Sequence, residues 1–517
     1  MQTLKTKTEA LMTEKSCKSS KLENKQGNRT FTHELLMTSA LTVIGTAALV
    51  GLHHRHRRQS QPDASLQDYL IGIRSQGFLL PFASKRQLTR FRYACQQATM
   101  GWQQAYQADS LENKGNDDSA NYFSAIHNTT MLPRTVCWVS GVASMPKNIA
   151  FIKDEDNTAN ANDFGVVGID ADRQIVWQTT MPERVHDIVV QPVTDAQTTV
   201  HYSDQSRDVI VMGRRPSENF WVLDTATGQV KAAIIASVNR HFYGHACYSL
   251  DGKWLYVTEN DTISLDGKIG IYDACDNYKK IAEFDSHGVG PHELIMHPDG
   301  KTLVIANGGI RTERASREEL NLDTMHPSLV YLDRYNGSLL EKVEPEHNQM
   351  SVRHLAMHDN GTVMIGIQFQ GEKHINVPLV LTHKRGDIHF SALTMPNNQW
   401  QRFHQYIASV AVNSERNQLC VTTPIGGCAA IFDLTTRTLI DAVSLPDCAG
   451  AAVKADKINS NRENVGFIVS DGQGQLTTLC VNEVSMTALE ASVDTERVRV
   501  DSQPHRMSFD NHFQALS

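Results

Sequence analysis

Histidines recur in this 517-residue chain at one place in a repeated phrase. His245 opens HACYSLDGKWLYVTEN, His292 opens HELIMHPDGKTLVIAN and His354 opens HLAMHDNGTVMIGIQ. His186 opens the related HDIVVQP, and His505 opens HRMSFDNH near the C-terminus. Neutral imidazole is the commonest metal ligand and a base that titrates near physiological pH. Acids accompany these histidines: Asp187 follows His186, Glu293 follows His292, and Glu259 closes the phrase that His245 opens. Such carboxylates can fix an imidazole tautomer or serve in acid–base steps. Arg214, Arg215 and Arg353 suit a carboxylate or phosphate ligand, and Asn260, Asn307 and Gln368 add neutral amides at the ends of the phrases. The chemistry in view is a metal ion, with His245, His292 and His354 as its first ligands, or an anionic small molecule. The competing reading is that each imidazole only hydrogen-bonds a neighbouring repeat.

Either reading needs elements that bring distant histidines together. Each phrase reads as a strand, a turn on Asp-Gly or Asn-Gly, and a second strand, with Gly252, Gly300 and Gly361 placed for the positive φ of hairpin turns. Weaker copies begin at Ser409 (SVAVNSERNQLCVTT) and Gly450 (GAAVKADKINSNRENVGFIVSDG). An outer strand pair follows many of them, as in ENFWVLDTATGQVKAAI and CAAIFDLTTRTLIDAV. Four strands per unit, at intervals of roughly 40 to 60 residues, is the pattern of propeller blades. The first unit (TVCWVSGVAS, FGVVGIDAD, QIVWQTTMP) has no innermost strand, while PHRMSFDNH at the C-terminus has no blade. The expectation is an all-β, seven-bladed β-propeller over 132–517, closed by that C-terminal strand, with His505 in the register of His292. Closure removes the open sheet edges. The insertion after Asn307 (GGIRTERASREELNLDTMHPS) leaves the same mouth of the channel, so Arg311, Asn321, Asp323 and His326 are further candidates to touch a ligand.

Composition excludes some classes. A formal net charge of −8, from 49 Lys plus Arg against 57 Asp plus Glu, does not provide a phosphate-tracking face, so nucleic acid is not an expected partner. The nine Cys form no CxxC, no zinc-finger spacing and no CxxCH, which excludes covalently attached haem c. They read as small buried hydrophobes, with one or two disulfides an alternative in an oxidising compartment.

Residues 35–52 (LLMTSALTVIGTAALVGL) carry no charge and follow a lysine-rich stretch, so 1–58 reads as a leader with a signal peptide or membrane-anchor helix. The HHRHRR run beyond it contains no small-x-small cleavage site, which keeps anchoring open. Residues 59–131 read as a polar, partly helical linker. The expected location is the periplasm, with the membrane touched only through the N-terminal segment.

The run FYGHACYSLDGKWLYVTEND, with GVGPHELIMHPDGKTLVIANGGI, LNLDTMHPSLVYLD, SVRHLAMHDNGTV and the terminal FDNH, closely resembles the bacterial family DUF1513 over roughly residues 134–515. The resemblance implies a propeller of the YVTN and WD40 kind, similar in shape to the quinoprotein amine dehydrogenase β-chain and exported to the periplasm. Relatives are encoded near imelysin-type iron-uptake proteins, which implies a role in iron handling. Family members begin with a twin-arginine signal, whereas here Thr30 follows Arg29. The function expected is therefore an exported binding or scaffold propeller with a metal or small-molecule ligand and a periplasmic protein partner. The alternatives are a lactonase-like hydrolase or a metal-dependent oxidoreductase using the same mouth.

Overall fold

Aspartate and glycine set where the strands stop. In the computed structural model, which describes residues 126–145, 164–193, 206–215, 217–312, 319–454, 466–482 and 497–516, Gly252, Gly300 and Gly361 adopt φ of 67°, 64° and 83° at the hairpin turns. The outer turns rely on carboxylates. Asp224, Asp273, Asp333 and Asp433 each end a third strand, and Oδ1 of each accepts the backbone N–H two residues on. These Asx turns send the chain back as the fourth strand.

The result is seven antiparallel sheets. The first blade holds β1 (Asn128–Thr130), β2 (Trp138–Ser144), β3 (Gly165–Ile169) and β4 (Ile175–Thr180). The second holds β5 (Val185–Val190), β6 (Asp208–Gly213), β7 (Asn219–Asp224) and β8 (Val230–Ile235). The third holds β9 (Arg240–Tyr248), β10 (Trp254–Asp261), β11 (Gly267–Asp273) and β12 (Lys279–Asp285). The fourth holds β13 (Pro291–Met296), β14 (Thr302–Asn307), β15 (Ser328–Asp333) and β16 (Leu339–Val343). The fifth holds β17 (Met350–Met357), β18 (Thr362–Phe369), β19 (Val380–Lys384) and the two-residue β20 (Ser391–Ala392). The sixth holds β21 (Ser409–Asn413), β22 (Gln418–Thr423), β23 (Cys428–Asp433) and β24 (Thr438–Ser444). The seventh holds β25 (Cys448–Lys454), β26 (Gly466–Asp471), β27 (Gln475–Val481) and β28 (Val498–Pro504).

The last strand, β29 (Ser508–Ala515), pairs with β2 and supplies the innermost strand of the first blade. Its register differs from the expected one. Pairing starts at Ser508 opposite Ser144, so His505 precedes the strand, and the backbone N–H of His505 donates to the carbonyl of Gly474. β1 is a further difference, because it lies inside the segment read as linker yet pairs with β4 as a fifth strand. No α-helix occurs among the described residues; short 3₁₀ turns at Pro396–Asn398 and Trp400–Phe403 follow the truncated β20. The leader, its apolar run at 35–52 and most of 59–131 lie outside the described residues.

Apolar clusters fill the spaces between neighbouring blades, as strand alternation on two-sided sheets requires. Trp177 of β4 and Trp221 of β7 are fully buried in one such cluster, and the Trp177 indole N–H donates to the carbonyl of Thr225 in the next blade. The described cysteines are free thiols, mostly in these interfaces, and no disulfide forms among them.

Candidate functional site

The innermost strands share one irregularity. In β5, Val185 pairs with Gly213 and Ile188 with Val211, so His186 and Asp187 together face Met212. In β9, the pairing jumps from Phe242–Glu259 to Ala246–Val257, crowding Tyr243, Gly244 and His245 against Thr258. His292 is the extra residue of β13, Arg353 of β17 and Ala449 of β25. In β29, Asp510, Asn511 and His512 lie between the pairs formed by Phe509 and Phe513. Only β21 runs in unbroken register. A bulge re-aims side chains that strict alternation would bury inside the sheet. Here the slips fall at matching points of six blades, around the axis.

The consequence is five imidazoles in mutual contact. His245 is central, with ring centroids 4.6 Å from His186, 4.7 Å from His292, 4.9 Å from His512 and 6.0 Å from His354. His292 and His354 are 4.9 Å apart, and His186 and His512 4.8 Å. Two carboxylates touch this cluster. Asp187 Oδ2 lies 3.3 Å from His245 Nδ1, off the line of a hydrogen bond, and Oδ1 lies 3.5 Å from His512 Nδ1. Backbone N–H groups of Ile188 and Ala246 hold Asp187 in place. Glu293 Oε2 lies 3.1 Å from His354 Nδ1. Carboxylates at Nδ1 leave Nε2 as the ligating nitrogen.

Two ligand sets result. His245, His292, Glu293 and His354 each offer one donor atom, all within 4.8 Å of one another, and so do His186, His245 and His512. Both nitrogens of His245, Nδ1 of His292 and Nε2 of His512 are buried without a hydrogen-bond partner. Burial, reinforced by neighbouring cationic groups, holds His186, His292 and His354 well below the usual imidazole range, and burial takes His512 down to about 3 against the opposing pull of Asp187. These rings are neutral, which is the metal-binding form. For His245 burial acts the same way, but contact with Asp187 outweighs it and the net shift is upward. Burial also pushes Glu293 up to about 8; a bound cation would reverse that.

The remaining candidates divide. Asp187, Glu293, His186, His245, His292 and His354 all belong to the cluster. Arg214, Arg215 and Arg353 lie beside it, where Arg353 disfavours the protonated forms of His245, His292 and His354, and Arg214 that of His186. Glu259 lies elsewhere: it is wholly buried inside the third blade, accepting from Tyr272 Oη at 2.7 Å and Lys280 Nζ at 2.6 Å. Asn307 donates to the carbonyl of Ser286 and shores up the entry to β13. Asn260 is buried opposite His241 in the β9–β10 ladder, and Gln368 pairs with Ser351 in the β17–β18 ladder. Arg311 is exposed, and its N–H is held by Asn321 Oδ1 at the base of the insertion. Asp323 carries no contact to the cluster, and His326 is exposed.

His505 sits over Phe509, away from the axis. Its place is taken by His512, because the strand pairs from Ser508 onward, later than a match of PHRMSFDNH to PHELIMHPD implies. Placing the apolar Phe509 and Phe513 in the blade interface, where both are buried, moves the strand along and finds His512.

Fold and site together define a seven-bladed β-propeller with a histidine-lined axis. The family model described as "Protein of unknown function (DUF1513)" matches residues 179–516, and the chain belongs to that family. No curated protein matches it. Among solved structures it is similar to Kuenenia stuttgartiensis hydrazine synthase, at 14% identity and a TM-score of 0.43 over 60% of this chain and 87% of that one. It is also similar to a chain of a mitotic checkpoint complex, at 14% identity and a TM-score of 0.38 over 58% and 78%.

Proposed function

We propose that this propeller binds a first-row transition-metal ion on its axis, through His245, His292, Glu293 and His354, with His186 and His512 packed against His245 as the second candidate set. The observation that carries the reading is the set of buried imidazole nitrogens of His245, His292 and His512 with no partner. A buried polar atom left unsatisfied costs about 1–3 kcal/mol, and coordination would remove that cost at several atoms together. Imidazole and carboxylate donors without thiolate suit iron, copper, nickel or zinc in the divalent state. The apolar run at 35–52 and the exported relatives support a periplasmic setting, as a soluble or membrane-anchored accessory to metal handling, with iron the first candidate. Glu259, bound to Lys280 inside a blade, lends no support to a hydrolase built on it.

Elemental analysis of the full-length protein, after loading with each of these metals and desalting, is the test. At least one equivalent of metal is expected, falling below a tenth of an equivalent in His245→Ala and His292→Ala variants that remain folded, since removing first ligands costs orders of magnitude in affinity. A folded wild-type protein that retains none of these metals, or histidine variants that lose stability without changing metal content, would show that the imidazoles only pack.

A further inference from the structure

Two guanidinium groups, Arg214 and Arg353, stand beside the histidine cluster and a third, Arg215, neighbours them, and among the described residues none has a carboxylate to pair with. Arg353, the slipped residue of β17, donates from Nε to Ser351 Oγ at 2.9 Å, and Ser351 donates to the carbonyl of Gly308 at 2.9 Å, just past the end of β14. The Arg215 guanidinium lies over the Tyr243 ring, 4.5 Å from its centroid. Arg214 keeps a buried Nε with no partner. The acids nearby do not neutralise them. Asp510 is occupied by Arg184, which forks to its two oxygens at 2.6 and 2.9 Å, and Glu319 near Arg353 is exposed. Among the described residues, Arg214, Arg215 and Arg353 have no carboxylate within ion-pair distance.

These charges also repel one another. Burial and then the neighbouring Arg184 depress Arg214. Converging, partly desolvated cations are unfavourable until an anion completes them, and the planar fork of arginine matches the oxygens of carboxylates and phosphates. Hydrogen bonds to Ser351 and stacking on Tyr243 hold two of the three in place, so the arrangement is built before a ligand arrives.

We propose that the mouth of the channel binds an oxyanion, of the carboxylate or phosphate class, on Arg214, Arg215 and Arg353. The anion then stands against the metal on the histidines, so that metal and oxyanion occupy the channel as one unit. The second statement rests on the metal reading above; the first does not.

Calorimetric titration of the metal-free, full-length protein separates the two. Inorganic phosphate and citrate are the probes, which distinguish the two anion classes, and glycerol is the uncharged control. Binding of at least one anion is expected, weakened about tenfold or more in Arg353→Gln and in Arg214→Gln, with Arg353→Lys between. Melting in anion-free buffer distinguishes a purely structural role, since removing an unpaired buried charge should leave the melting temperature unchanged or higher. The oxyanion site is overturned if neither anion binds the wild type, if the glutamine variants bind as well as the wild type, or if they melt lower without anion. Repeating the titration on metal-loaded protein should tighten anion binding. Equal affinity with and without metal overturns the joint occupancy and leaves the oxyanion site standing. A protein that retains no metal but binds anion overturns the metal reading, and joint occupancy with it, and leaves the oxyanion site standing.

Discussion

At the scale of single residues, identical side-chain types in this chain do opposite work according to what surrounds them. Glu293 is half-buried against His354, in a cluster with unpartnered nitrogens, and its carboxyl is pushed up to about 8. Glu259 is buried more completely, yet Tyr272 and Lys280 satisfy it, and Lys280 reaches Glu283 at 2.8 Å, which Arg240 also clamps. That second network is self-contained and has no open donor toward the axis. Replacing Lys280 by Met should therefore cost about 3–5 kcal/mol, the usual consequence of removing one partner of a buried ion pair. Chemical denaturation would measure the loss, and metal content per folded molecule should not change. A Lys280→Met variant that stays folded but loses its metal would tie Glu259 to the site after all.

At the scale of elements, the bulges decide which residues reach the axis. A regular β9 would place His245 by simple alternation, but the slip packs Tyr243, Gly244 and His245 against one partner residue. Gly244 makes this possible: its φ is 108°, and a Cβ there would lie 2.6 Å from Cδ2 of His186. Only glycine takes such a backbone without strain, and only glycine leaves the ring of the adjacent blade undisturbed. Gly244→Ala should destabilise the fold by about 1–3 kcal/mol and displace His186. Metal affinity should fall although no ligand has been removed. Unchanged metal binding in this variant would mean that His186 is not needed. The slips also explain the candidates that did not gather, because each frees a residue of the innermost strand, whereas Asn260, Asn307 and Gln368 lie on second strands and keep their ladder partners His241, Pro291 and Ser351.

At the scale of the whole molecule, closure of the ring and completion of the site are the same event. β29 covers the edge of β2, and it carries His512 to the axis and Asp510 to Arg184. A chain ending after residue 507 should lose both: an exposed strand edge favours association, and the cluster loses an imidazole. Size-exclusion chromatography should show aggregates rather than monodisperse protein. A truncated chain that remains monodisperse and binds metal normally would show that β29 is dispensable for both.

The repeat of hairpin phrases, the outer strand pairs that follow them and the orphan C-terminal strand are local or periodic features, and they determined the seven blades and the closed ring from the sequence alone. The same periodicity placed His186, His245, His292 and His354 at equivalent points, because rotation about an axis converts a sequence repeat into spatial convergence. What the tertiary structure decided was register. A one-residue slip reverses which face a side chain takes, and slips leave no mark in the composition of a strand. That is why His512 replaced His505, why Glu259 turned into a blade while Glu293 reached the cluster, and why Arg353 came to stand beside His292 and His354. The cluster of imidazoles and its neighbouring guanidiniums exist only once the innermost strands of separate blades have met around the axis, and no single stretch of chain contains that information.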